Sequence, residues 1–315
     1  MAQEKENNLV LEHSPVLLNE VLANLELNKK RVVVDATVGL AGHSKAMLEK
    51  MPKNGKLIAF DADKEHVKLA KKRLRKYSSQ VTVIHANFSE LEEKIAAQRC
   101  RGIDAILFDL GLASPHVDNP ERGFSFMHEG PLDMRFDVSQ ELTAAEVINN
   151  YSEKELVRIF QEYGEERFAR KIARAIVARR KTRKFKTTKE LARLIEKTVA
   201  RQSRIHPATR VFQALRIEVN NELQSLKSAL EQALKLLRPG GRIAVISYHS
   251  LEDRIVKRFF KEQALEYINL PEEETTRMLK PQLKIITKKP ILPSDEEIIE
   301  NPRARSAKLR VAEKI

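Results

Sequence analysis

From His13 to Leu27 the apolar residues Val16, Leu17, Val21, Leu22 and Leu25 recur at helical spacing, and the pattern then changes to short apolar runs that stop at acids. Val32 to Val34 is β-branched and unbroken, as a strand buried on both faces should be, and it ends at Asp35. Small residues follow, with Gly39 and Gly42 allowing close backbone approach, before Ser44 to Lys50 takes up helical composition. Lys56–Asp63, Val81–Phe88 and Ile103–Asp109 read as three further strands, and Lys64–Lys76 as the helix after the second. Strands separated by helical crossovers of this length predict an α/β fold: a mostly parallel, Rossmann-like sheet with helices on both faces. Ligands of such sheets bind at the carboxyl ends of the strands.

After Gly111 the alternation breaks. Ala113 to Asp137 is rich in Pro, Gly and Asp without a clear period and predicts a long loop, which in a compact domain is often functional. Glu153–Phe160, Glu165–Arg180 and Thr188–Arg201 read as basic amphipathic helices, the last capped by Thr187 or Thr188. Ala208–Leu237 reads as one long helix stopped by Arg238-Pro-Gly-Gly241, and Arg242–His249 as a fifth strand. Near the end, Leu283–Thr287 and Ala307–Ala312 are expected to pair as the last two strands, with Pro290 to Pro302 between them. One discontinuous α/β domain, 1–115 with 208–315, is therefore expected to carry a basic loop and helical insertion at 116–207.

Composition narrows the class. The chain has 315 residues, 42% hydrophobic and 32% charged, and no apolar run approaches the about 20 residues that span a bilayer. Met1–Asn8 is polar and lacks the apolar core of a signal peptide, so a frayed terminus and a cytoplasmic location are expected. The one cysteine, Cys100, has no neighbours at metal-ligand spacing and reads as a packing residue; no metal site is expected. Of the net charge of +13, almost all sits between Tyr151 and Arg216, where 19 Lys and Arg face 7 Asp and Glu. The stretch Ala178-Arg-Arg-Lys-Thr-Arg-Lys-Phe-Lys186 repels itself unless it meets a polyanion, and a phosphate backbone is the commonest such partner; a solvated helical face is the alternative.

The acid at the end of the second strand, Asp61, stands where a carboxylate accepts hydrogen bonds from both hydroxyls of a ribose. Gly39-Leu-Ala-Gly42 lacks the G-x-G-x-x-G spacing that accommodates a pyrophosphate, which argues against a nicotinamide cofactor. A nucleoside without phosphate fits better. S-adenosyl-L-methionine has that form, with its adenosine for Asp61, its amino-acid end for the glycine turn and helix N-terminus, and Phe88 near its adenine. Taken singly, Asp61 also suits a cap of the next helix, and Phe88 an ordinary core position.

The fourth strand leads through Asp109-Leu-Gly-Leu-Ala-Ser-Pro115 into Arg122-Gly-Phe-Ser-Phe126 and Pro131-Leu-Asp-Met-Arg135. With Asp35-Ala-Thr-Val-Gly-Leu-Ala-Gly-His-Ser44, Phe212 to Asn220, Ser247 to Arg254 and Asn301 to Arg310, these motifs resemble the bacterial 16S rRNA (cytosine-N4)-methyltransferase family over about His13 to Arg310. The resemblance implies a class I S-adenosylmethionine-dependent methyltransferase with a helical insertion. The implied substrate is the exocyclic amine of a cytidine in the decoding centre of the small ribosomal subunit, with 16S rRNA as partner. It also implies cofactor contacts at Ala41, Gly42, His43, Asp61, Phe88, Asp109 and His116. Ala41 stands where many relatives have glycine, which is tolerated if its φ is negative; His116 stands where glutamine is common and can keep a hydrogen bond.

Because the lone pair of cytosine N4 is delocalised into the ring, an enzyme acting on it must orient the amine and accept hydrogen bonds from its N–H groups. Asp109 is the candidate catalytic acceptor, although Asp109-Leu-Gly111 replaces the Asp/Asn-Pro-Pro-aromatic signature of many amino-methyltransferases. Phe124, Phe126 or Tyr248 are candidates to stack on an unstacked cytosine. Ser247, Tyr248 and His249 also suit loop anchoring. A methyltransferase acting on protein or DNA and a non-catalytic RNA-binding protein are the competing classes, and monomer and homodimer are both open.

Overall fold

The structure, a computed structural model, describes residues 15–199, 206–270, 275–278 and 280–315. The polar stretch Met1–Asn8 and the end of the helix read to Arg201 lie outside the described residues. The chain divides into two compact units, residues 1–61, 65–111 and 230–315 in one and residues 62–64 and 112–229 in the other. The second unit thus extends past the expected 116–207, because the helix after residue 208 shares its core.

In the first unit β1 (Val32–Asp35), β2 (Lys56–Asp61), β3 (Val81–His85), β4 (Ile103–Asp109) and β5 (Leu237–Ser247) run parallel. The hairpin β6 (Tyr267–Leu270) and β7 (Thr275–Met278) stands apart from this sheet. β8 (Leu283–Ile285) and β9 (Lys308–Lys314) add antiparallel to one edge, giving the order β3-β2-β1-β4-β5-β9-β8. The expected pairing of the last two strands is therefore present. Asp35 pairs with Ala59 and Leu107, so Asp61 and Asp109 each lie two residues further along the neighbouring strands. Buried Val33, Leu57, Ala105, Leu107 and Ile246 pack with Leu17, Val21 and Met47 into one core. β5 begins earlier than expected: Leu237 pairs with Ile103, Arg242 with Ala105, and the Pro-Gly-Gly residues bulge out between them. The sequence reading had not anticipated the helix Ser250–Gln263, which is capped by His249 and Glu252.

The second unit is helical. Ser114–Asp118, Ala144–Asn150, Glu153–Glu162, Ala169–Arg180, Thr188–Thr198 and Thr209–Asn220 enclose their own core, with Phe160, Ile172, Phe185, Ile195 and Leu215 buried in it. Ser152 with Glu155, and Thr187 with Glu190, form capping boxes, which settles Thr187 as the cap. The expected single helix over 208–237 is two. Asn221 adopts the left-handed conformation, φ 49°, between Thr209–Asn220 and Glu222–Leu236, a turn that Asn tolerates better than most residues. Among the described residues no helix is long and apolar enough to cross a membrane.

Candidate functional site

The turn after β1 is built on two hydrogen-bond anchors, buried Asp35 and half-buried Asp61. Asp35 accepts from the Thr37 backbone N–H (3.1 Å) and the Ser44 hydroxyl (2.6 Å), joining strand end to helix start. Burial raises its carboxyl to about 6, against the opposing hydrogen bond from Ser44 and the nearby His43. The Gly39 N–H donates to Asp61 Oδ2 at 2.8 Å, and His66 Nδ1 lies 3.5 Å from Oδ1, so Asp61 fixes the turn from the next strand. A carboxylate has about four lone-pair sites, so this structural work is compatible with further donors.

Ala41 is the N-cap of the helix Gly42–Lys50 and adopts φ 65°, ψ 22°. The condition set by the sequence reading, a negative φ, is not met. The left-handed conformation costs an L-residue about 1–2 kcal/mol, and burial of the Ala41 methyl, at about 0.8 kcal/mol, offsets much of it. Its side chain cannot cap the helix, and the first-turn N–H groups of any helix lack intrahelical acceptors. Gly42 is needed beside it, because a Cβ there would lie 2.5 Å from Pro15 Cγ. His43 points inward: its Nε2 is 2.9 Å from the Val16 carbonyl and its Nδ1 3.4 Å from Asp109 Oδ2.

At the end of β4 the Asp109 backbone N–H donates to Thr37 Oγ1 (2.7 Å), and its Oδ1 accepts from the Tyr248 hydroxyl (2.8 Å). Burial, and then the Asp109 charge, push the Tyr248 phenol well above its ordinary range, so it stays a donor. Phe88 opens a short 3-10 turn capped by Asn87, and its ring meets buried Phe108 edge-on at 5.8 Å. The unit therefore brings Ala41, Gly42, His43, Asp61 and Asp109 into one bonded frame at the carboxyl edge. Sequence reasoning passed over Asp35, Thr37 and His66 in that frame. Asp35 and Thr37 carried a signal, as polar residues directly after a buried strand.

His116 belongs to the second unit. It is buried, its Nε2 lies 3.0 Å from Asp63 Oδ2, and its ring packs on Phe124 and Phe136 at 5.0 and 5.1 Å. Arg122 joins the same Asp63 oxygen and donates to the carbonyls of Arg135 (2.7 Å) and Phe136 (3.1 Å). From the other side Asn220 donates to the Met134 carbonyl and accepts from the Phe136 N–H, both at 2.7 Å. Three motifs far apart in the chain thus meet as one structured loop. Phe124 is buried in it, whereas Phe126 stacks on His206 at 4.4 Å.

The basic stretch of this unit divides by role. Arg180 donates to the carbonyls of Ile148 and Tyr151, both at 2.6 Å, at the end of the helix Ala144–Asn150. Arg179 lies over the ring of buried Phe185, and Arg183 pairs with Glu190 at 3.3 Å. Lys181, Lys184 and Lys186 are exposed.

A glycine turn running into a helix, and acids at the carboxyl ends of β2 and β4 in a sheet of this order, define a Rossmann-like α/β fold with its candidate ligand site at the carboxyl edge of the sheet. Comparison with known proteins narrows this. The chain belongs to the MraW methylase family, whose model matches residues 10–315, and is an S-adenosylmethionine-dependent methyltransferase. It is 52% identical over 307 residues to the ribosomal RNA small subunit methyltransferase H of Caldicellulosiruptor saccharolyticus, covering 96% of this chain and 99% of that one. The protein of the same name from Halothermothrix orenii is 48% identical over 310 residues, covering 97% and 99%.

Proposed function

We propose that this enzyme methylates the exocyclic N4 amine of a cytidine in the decoding centre of 16S rRNA, within the small ribosomal subunit. What carries the substrate class is full-length similarity to proteins named for that RNA; the base and its position rest on the motifs at Asp109, Arg122–Phe126 and Pro131–Arg135. When bound, S-adenosylmethionine supplies a methyl group already activated by positive sulfur. In this reading the backbone of Ala41, Gly42 and His43 receives the amino-acid end, Asp61 the ribose and Phe88 the adenine, with Asp109 completing the contacts of this unit. The uncapped helix N-terminus at Ala41 and the acceptor capacity of Asp61 suit those groups.

Asp109 in this reading also accepts a hydrogen bond from the N4 amine, turning its lone pair toward the methyl. The insertion, with its excess of Lys and Arg, grips rRNA phosphates. Transfer of labelled methyl from S-adenosylmethionine to undermodified small subunits tests the whole. Label released by nuclease and retained after protease is expected. Label that follows protein, or no transfer, overturns the reading.

A further inference from the structure

We propose that Tyr248 is a positioning residue for the methyl transfer, holding the Asp109 carboxylate through a hydrogen bond from its hydroxyl. The inference rests on the reading of Asp109 given above. Oδ1 accepts from the Tyr248 hydroxyl at 2.8 Å, and His43 Nδ1 stands 3.4 Å from Oδ2. The backbone is pinned as firmly, since Asp109 N–H donates to Thr37 Oγ1 (2.7 Å) and Leu110 N–H to the Ile246 carbonyl (2.9 Å).

The phenol is itself placed from two directions. The Tyr248 N–H donates to Glu252 Oε2 at 2.8 Å, in the first turn of the helix Ser250–Gln263. Its ring lies against Gly111, where a Cβ would come within 2.8 Å of Cε2 and 3.0 Å of Cδ2. Gly111, two residues past Asp109, thus leaves the room in which the ring can reach back to the carboxylate. A phenylalanine would fill the same space and leave Oδ1 without this donor. The charged and titratable groups around the pair are His43 and Asp35 beside Asp109, and Glu252 and Glu297 beside Tyr248.

Y248F, G111A and D109N, each checked for folding by thermal unfolding, separate the possibilities. Y248F is expected to lower kcat/KM about 10- to 100-fold, as for loss of a hydrogen bond to a charged group. It is also expected to move the acid limb of the pH–rate profile upward by about one pH unit, because the ionised carboxylate loses a donor. G111A, with the hydroxyl still present but its ring displaced, is expected to shift the acid limb in the same direction. A folded Y248F with the wild-type pH profile overturns the role of Tyr248, whatever its rate. A folded D109N with wild-type kinetics and cofactor affinity instead overturns the reading of Asp109 on which it rests.

Discussion

The carboxyl edge of the sheet holds acids under different obligations, and each obligation predicts a separate measurement. Asp61 serves the glycine turn through Gly39 and, in the proposed reading, the ribose. Asp61→Ala is expected to weaken cofactor binding by about 1–3 kcal/mol, measured by calorimetry on folded protein. Unchanged affinity would remove Asp61 from the site. Asp35 is different, being fully buried with its carboxyl raised from 3.8 to about 6. The folded state therefore holds this proton more tightly than the unfolded chain. Stability from this group is complete below about pH 4 and is lost as pH rises through about 6, by about 2–3 kcal/mol. Comparison of wild type with Asp35→Asn by urea unfolding isolates it: the variant's relative stability is expected to grow between pH 4 and 7, and a difference independent of pH would contradict the assignment.

At the scale of elements, the structured loop between β4 and the helical block depends on Asn220, at the end of its helix, clamping Met134 and Phe136. Asn220→Ala orphans the Phe136 N–H and is expected to cost about 1–3 kcal/mol in unfolding free energy; an unaltered denaturation midpoint would show that the clamp carries no weight. The basic stretch yields a paired prediction. Charge reversal at Lys181, Lys184 and Lys186 is expected to weaken RNA binding and flatten its salt dependence, with folding and cofactor affinity unchanged, because fewer counterions are released. Arg180→Ala is expected instead to lower the melting temperature, since Arg180 holds the carbonyls of Ile148 and Tyr151. Equal effects of both variants on RNA binding and on stability would refute the division.

These elements also show what the sequence made legible. The parallel strands were readable because each contains a short apolar run, ended by an acid in β1, β2 and β4, and β4 matched residue for residue. The helix Ala144–Asn150 was not, because its apolar residues Val147 and Ile148 sit in two turns, too short for a period to appear. The break at Asn221 was hidden by apolar spacing that continues across it. In the site, Asp61 and Asp109 were visible as strand-end acids. The left-handed Ala41 was not, because nothing in an alanine announces its φ; burial of its methyl and the hydrogen bonds from its N–H to the Val38 carbonyl and from the Lys45 N–H to its own carbonyl hold it there.

For the molecule as a whole, the chain carries two cores, one around the sheet and one within the helical block, and the positive charge is concentrated in the second. That separation is the physical basis for assigning cofactor chemistry to one unit and phosphate recognition to the other. The central claim is the identity of the modified atom, and mapping the nucleotide in 16S rRNA from cells lacking this protein, and from the same cells with it restored, tests it most directly. One cytidine of the decoding centre is predicted to lack its N4 methyl in the first case and regain it in the second, and to regain it less fully when Asp61→Ala replaces the wild type. An unchanged methylation pattern, or a methyl regained on another base or another atom, would contradict the account.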